Sequence, residues 1–145
     1  MRDALIVSTA RTPLTKSYRG TFNNTTAPTM AGWAIKEAVK RSGVDPEKVD
    51  DVIMGAALQQ GTQHCNVARN AALAAGLPVT VSGMTLDRQC SSGMMSIATA
   101  AKQIISDGMD VAVGGGLDSI SLVQTEKMNL DRWVDKNLIA KHKHI

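Results

Sequence analysis

Thr85-Leu86-Asp87-Arg88-Gln89-Cys90-Ser91-Ser92-Gly93 joins a strand pattern to a helix pattern. The residues leading into it, Thr80 to Leu86, read as a buried strand, and the small-residue run that follows reads as a helix. Strand into helix across so short a turn is the joint of a β/α unit. It also puts Cys90 at a helix start, where first-turn N–H groups carry partial positive charge and favour a thiolate over a thiol. Ser91 and Ser92 leave the sulfur sterically open, and Gly93 permits close backbone approach. The backbone N–H of Cys90 is available to an oxyanion developing on an acylated sulfur. Cys90 is the candidate nucleophile, and an inert buried thiol is the plainer alternative.

The same alternation extends outward in both directions. Ala4 to Ser8 is a short apolar run closed by Arg11-Thr12-Pro13 and reads as a buried first strand. From Thr29 as N-cap, Ala31, Ala34, Ile35, Ala38 and Val39 recur at helical spacing until Ser42-Gly43. Asp45-Pro46 opens a short helical turn, Val52 to Ala57 forms the second strand, and Asn66 to Ala75 a helix stopped by Gly76-Leu77-Pro78. After Cys90, Met94, Ile97, Ala98, Ala101, Ile104 and Ile105 form one stripe. The other faces are so apolar that the whole helix is expected to be buried. Val111 to Gly116 is the fourth strand, and its glycines are read as a packing feature rather than a phosphate cradle, since no GK[ST] follows. Continuous apolar strands alternating with helices predict an α/β fold with a mostly parallel sheet covered on both faces.

Composition narrows the function further. The chain of 145 residues has a net charge of +3 without a basic run interleaved with aromatics, which argues against a nucleic-acid partner. Residues 1–120 are nearly balanced in charge. The tail carries Arg132, Lys136, Lys141 and Lys143, read as a solvated loop rather than an anion site. No apolar stretch is long enough to cross a bilayer, and the widely spaced Cys65 and Cys90 suggest a reduced, cytoplasmic setting. Cys65 with its neighbour His64 lacks further ligands at metal spacing, so no metal site is expected and Cys65 is read as a loop or core filler. Arg11, Arg69 and Arg88 are assigned structural roles with turn carbonyls or acidic partners. Met94 and Met95 belong to the core unless, being close to Cys90, they line an acyl pocket.

Asp87-Arg88-Gln89-Cys90-Ser91-Ser92-Gly93 with its small-residue helix, followed by Val111-Ala112-Val113-Gly114-Gly115-Gly116-Leu117-Asp118-Ser119-Ile120-Ser121, resembles the acyl-enzyme cysteine region of the thiolases. Ser8-Thr9-Ala10-Arg11-Thr12-Pro13 and Asn66 to Pro78 resemble the same family in the same order. The resemblance spans about residues 4–125 and corresponds to the first third of a thiolase. It departs from the commonest pattern at Leu14-Thr15-Lys16-Ser17 and at Leu117-Asp118.

The resemblance implies a thiolase-like layered fold, with residues 1–120 as the N-terminal β/α domain and 121–145 as the start of a loop domain, apparently truncated. It implies that Cys90 takes the acyl group from a 3-ketoacyl-CoA, releasing acetyl-CoA, and passes it to a CoA thiol, or condenses two acetyl-CoA molecules in reverse. Coenzyme A and acyl-CoA then enter as substrates, with no permanently bound cofactor, and a homodimer or homotetramer is expected. The family's activating histidine, second cysteine and water-positioning asparagine come from later segments, so His64, His142 and His144 inherit no role. A fragment without them is expected to be inactive. Two other readings stay open: a 3-ketoacyl synthase, which shares the fold and the helix-start cysteine, and a non-catalytic interaction half.

Overall fold

The computed structural model describes residues 2–126 and 135–141. Arg132, Trp133, Lys143, His142 and His144 lie outside the described residues. The elements run α1 (Ala27–Ser42), β1 (Asp51–Gly55), α2 (Val67–Ala74), β2 (Ser82–Leu86), α3 (Ser92–Lys102), β3 (Ala112–Gly116), α4 (Ile120–Val123) and α5 (Lys136–Lys141). The strands form one parallel sheet in the order β2-β1-β3, with Ile53 level with Met84 and Gly114. Each strand return therefore crosses over through a helix, as parallel pairing requires.

Strand alternation divides the sheet into two faces. Val52 and Met54 of β1 pack with Ala31, Ile35 and Val39 of α1 and Ala68, Ala71 and Ala72 of α2. The small residues let these helices close on each other: a Cβ on Gly32 would lie 2.9 Å from the Ala74 Cβ. The opposite face presents Ile53, Gly55, Gly114 and Gly116 to α3, so the glycines of β3 are indeed a packing device. A Cβ on Gly114 would stand 2.8 Å from the Ile97 Cα, and one on Gly116 2.7 Å from the Gly93 Cα. Ile53 is completely buried, and truncating such a side chain to alanine costs about 2–5 kcal/mol.

Local signals explain the element boundaries. Helix α1 begins three residues earlier than its apolar spacing suggests, with Thr26 rather than Thr29 as N-cap and Pro28 in the first turn, where a missing N–H costs nothing. Gly43 ends it at φ 71°. Asp45 caps the Pro46–Lys48 turn by accepting from the Glu47 N–H at 3.0 Å. Helix α3 runs on through a single π turn, Gln103–Asp107, and stops at Gly108 with φ 83°.

Three expectations need correction. The strands read as buried at Thr80 to Leu86 and Val111 to Gly116 are, as β2 and β3, exposed or half-buried, since they flank the sheet and β1, between them, is the strand buried throughout. Ala4 to Ser8 is neither a strand nor buried: Leu5 and Ile6 are more than three-quarters exposed. An apolar run becomes a strand only when it finds a ladder partner. Here residues 4–10 and the outer side of β3 border a cavity of about 500 Å³ instead of pairing across it. The segment is tethered at its ends, by the Arg2–Asp110 ion pair and by Arg41 donating to the Thr9 carbonyl at 3.0 Å. Helix α3, expected to be buried all round, is buried on one side, through Ser92, Ser96 and Ala100, while Met94 and Ile97 are exposed. Glycine-lined strands admit the narrow face of a helix closely, and the bulkier stripe is left outside. No described helix is long and apolar enough to cross a membrane.

Candidate active site

The parallel strands β1, β2 and β3 end together at Gly55, Leu86 and Gly116. Ligands of open α/β sheets bind outside these carboxyl ends, where the connecting loops converge. A cleft of about 630 Å³ opens there. Its lining includes Cys90, Gly55, Gly93, Gly116 and Asp118, with Arg11 from the N-terminal segment. Residues as far apart in sequence as Arg11 and Asp118 thus border one cleft with Cys90, because the sheet brings its strand ends together.

The turn that carries Cys90 is built from its neighbours. Asp87 Oδ1 accepts from the Gln89 N–H at 2.7 Å, bending the chain directly after β2. Gln89 takes φ 51°, a left-handed conformation that costs a non-glycine residue about 1–2 kcal/mol. Ser92 repays part of this: its Oγ accepts from the Arg88 N–H at 2.8 Å and donates to the Gln89 carbonyl at 2.6 Å. Ser92 is itself buried, so the strained turn is clamped from inside the fold.

Cys90 stands one residue before Ser91, the N-cap of α3, and so lies just outside the helix rather than in its first turn. Ser91 does not cap the helix with its side chain, because its Oγ donates back to the Arg88 carbonyl at 2.8 Å. The helix N-terminus is thereby left without a side-chain acceptor beside an exposed thiol. Such an end favours an anion or a partial negative charge close by. The ionisable side chains among the described lining are Arg11, Asp118 and Cys90.

Of the other candidates, Arg11 borders this cleft and Cys65 does not. Cys65 is exposed in a turn, the loop rather than the core of its two readings, and its Sγ lies 3.2 Å from His64 Nε2 despite their being neighbours in sequence. Cys65 and Asn66 both take left-handed conformations, φ 56° and 57°. Met94 and Met95 do not line the cleft; Met30 and Met54 do. Arg69 serves the fold as expected, donating to the Val79 carbonyl at 2.8 Å and to that of Val81. Arg11 donates to the Thr12 carbonyl at 3.2 Å while bordering the cleft. Asp118 and Ser119 lie within the Val111–Ser121 segment of the resemblance, with Leu117-Asp118 a departure from it, but neither carries a sequence-based role in the site.

Comparison with known proteins adds independent findings. Residues 4–143 match the family described as "Thiolase, N-terminal domain". The chain is 42% identical over 123 residues to a 3-ketoacyl-CoA thiolase of Bacillus subtilis, covering 85% of this chain and 32% of that protein. It is 40% identical over 121 residues to an acetyl-CoA acetyltransferase of Cupriavidus necator, covering 83% and 30% respectively. The crystal structure of the acetyl-CoA acetyltransferase of Bacillus anthracis superposes with a TM-score of 0.82 at 41% identity, over 94% of this chain and 34% of that one. The chain therefore spans about a third of the length of the relatives it matches.

Proposed function

The chain belongs to the thiolase family, as its N-terminal domain, and on that premise we propose that the protein transfers acyl groups between coenzyme A thioesters through a covalent intermediate on Cys90. The observation that carries the proposal is the placement of Cys90: an exposed thiol on a clamped turn, at the open start of α3, bordering the cleft at the carboxyl ends of the strands.

In the cleavage direction the Cys90 sulfur attacks the 3-keto carbon of a 3-ketoacyl-CoA. The C2–C3 bond breaks, C2 takes up a proton and acetyl-CoA leaves, with the shortened acyl group held as a thioester on the sulfur. The thiol of a second CoA attacks that thioester, and acyl-CoA departs as the cysteine is regenerated. The condensation of two acetyl-CoA molecules is the same path reversed. The role we assign to α3 is electrostatic, since its N-terminal dipole favours the charge on the tetrahedral oxyanion. The relatives' names, 3-ketoacyl-CoA thiolase and acetyl-CoA acetyltransferase, support this substrate class. Self-association into a homodimer or homotetramer belongs to the same proposal, supported by the bare apolar surface at Met94 and Ile97.

Steady-state kinetics of Cys90→Ser in the full-length protein test the assignment. A hydroxyl is a poor nucleophile without a dedicated base, so thiolysis of acetoacetyl-CoA is expected to fall by orders of magnitude. Near-native turnover in this variant would move the nucleophile elsewhere.

A further inference from the structure

Gln63 is 1% exposed, and no step of the chemistry above uses it. Its amide joins two loops. Nε2 donates to the Leu58 carbonyl at 2.8 Å and to Asp118 Oδ1 at 3.0 Å, and Oε1 accepts from the Ser119 N–H. Leu58 lies in the loop after β1, whereas Asp118 and Ser119 lie in the loop after β3 and line the cleft beside Cys90. A primary amide suits this position by its chemistry, because it donates at one end to a carboxylate and a carbonyl and accepts at the other from a backbone N–H. Hydrocarbon would leave Asp118 Oδ1 and the Ser119 N–H without this partner, the Leu58 carbonyl keeping the Gln60 N–H at 2.9 Å, and a carboxylate would set acceptor against acceptor.

Neighbouring contacts tie the loop after β1 to α4, and Ser119 to the segment before α1. Gly61 takes φ 56°, and a Cβ there would stand 3.0 Å from the Leu122 carbonyl oxygen. Gln60 Nε2 reaches the Val123 carbonyl at 3.5 Å, and Ser119 Oγ donates to the Thr25 carbonyl at 3.3 Å. Among these contacts Gln63 is the fully buried side chain that reaches the cleft wall itself.

We propose that Gln63 is a positioning residue for acyl transfer: through Asp118 and Ser119 it fixes the Gly116–Ser121 wall of the cleft and so orients the bound acyl group at the Cys90 sulfur. This rests on the reading of Cys90 as the acyl carrier. Misplacement of a substrate by about 1 Å is enough to cost on the order of 10²-fold in rate, even when its cause lies away from the chemistry.

The test uses the full-length protein. Gln63→Met keeps the side-chain length and removes the amide, and kcat/KM is expected to fall at least about tenfold, mostly in kcat. Alkylation of Cys90 by iodoacetamide needs no oriented acyl group and is expected to stay within about twofold of the unsubstituted protein. Gln63→Glu is expected to be worse than Gln63→Met, and adding Asp118→Asn to it, which supplies a donor opposite the new carboxylate, to recover kcat. If Gln63→Met lowers the melting temperature but leaves kcat and KM unchanged, Gln63 only stabilises the fold and the proposal is overturned. Should Gln63→Met not melt cooperatively, the other pair decides: no gain of the double variant over Gln63→Glu alone overturns it equally. Cys90→Ala separates the two readings. Turnover retained there sinks the acyl-carrier reading and this proposal with it, whereas turnover lost there but kept in Gln63→Met sinks this proposal alone.

Discussion

Gly55 and Ser92 meet so closely that a Cβ on Gly55 would stand 2.2 Å from the Ser92 carbonyl carbon. This contact seats the first turn of α3 on the end of β1, and with it the turn that carries Cys90. Backbone, not a flexible side chain, blocks the space. Gly55→Ala is expected to cost about 1–3 kcal/mol or more through forced separation of helix and strand. At Gly93 the nearest atom to an added Cβ is the Gly116 Cα at 3.5 Å, an ordinary contact. Gly93→Ala is therefore expected to be tolerated, with a helix-propensity gain of up to about 1 kcal/mol. Thermal melts of the two variants check the contrast; equal melting temperatures would contradict the packing described for this joint.

Ser92→Ala tests the clamp on the Cys90 turn. Loss of the Oγ leaves the Arg88 N–H without its partner and the Gln89 carbonyl with the Ser92 N–H alone, at an expected cost of about 1–3 kcal/mol. Acyl-transfer kcat is expected to fall as well, because the left-handed Gln89 conformation is no longer held. A variant with a lower melting temperature and unaltered kcat would separate the clamp from the chemistry.

The β/α order and the all-parallel sheet were legible in the sequence because each rests on local information: continuous apolar runs for β1 and β3, Gly43 and Asp45 at helix ends, the small residues after Cys90. Resemblance then tied Cys90 to a family. What escaped was set by long-range contacts. Ala4 to Ser8 has the composition of a strand but no ladder, and composition carries no record of a missing neighbour. The stripe of Met94 and Ile97 looked like the buried side of α3, yet the glycines of β3 select the narrower Ser92, Ser96 and Ala100 side. Asp118 and Gln63 enter the site only through loop convergence, which no spacing along the chain reveals. The His64–Cys65 contact was missed because neighbours in sequence do not usually face one another, and Cys65 takes a left-handed φ of 56° that non-glycine residues rarely adopt.

Residues 1–145 produced alone are expected to show no multiple turnover of acetoacetyl-CoA. The described lining of the cleft contains no histidine, and its carboxylate, Asp118, is held by the Gln63 amide. The exposed Leu5, Ile6, Met94 and Ile97 predict self-association of this piece. Sedimentation together with a continuous thiolysis assay measures both. A monodisperse monomer with sustained turnover would refute the two expectations at once.

The central claim is that Cys90 carries the acyl group, and trapping that group tests it most directly. The full-length protein is incubated with acetyl-CoA, quenched in acid and mapped by peptide mass spectrometry. The acetyl mass is predicted on the peptide containing Cys90, absent from the exposed Cys65, and lost when free CoA is added before quenching. Acetylation of Cys65 with Cys90 unmodified in the folded protein, or steady turnover with no acyl group on Cys90 at any time, would contradict the account.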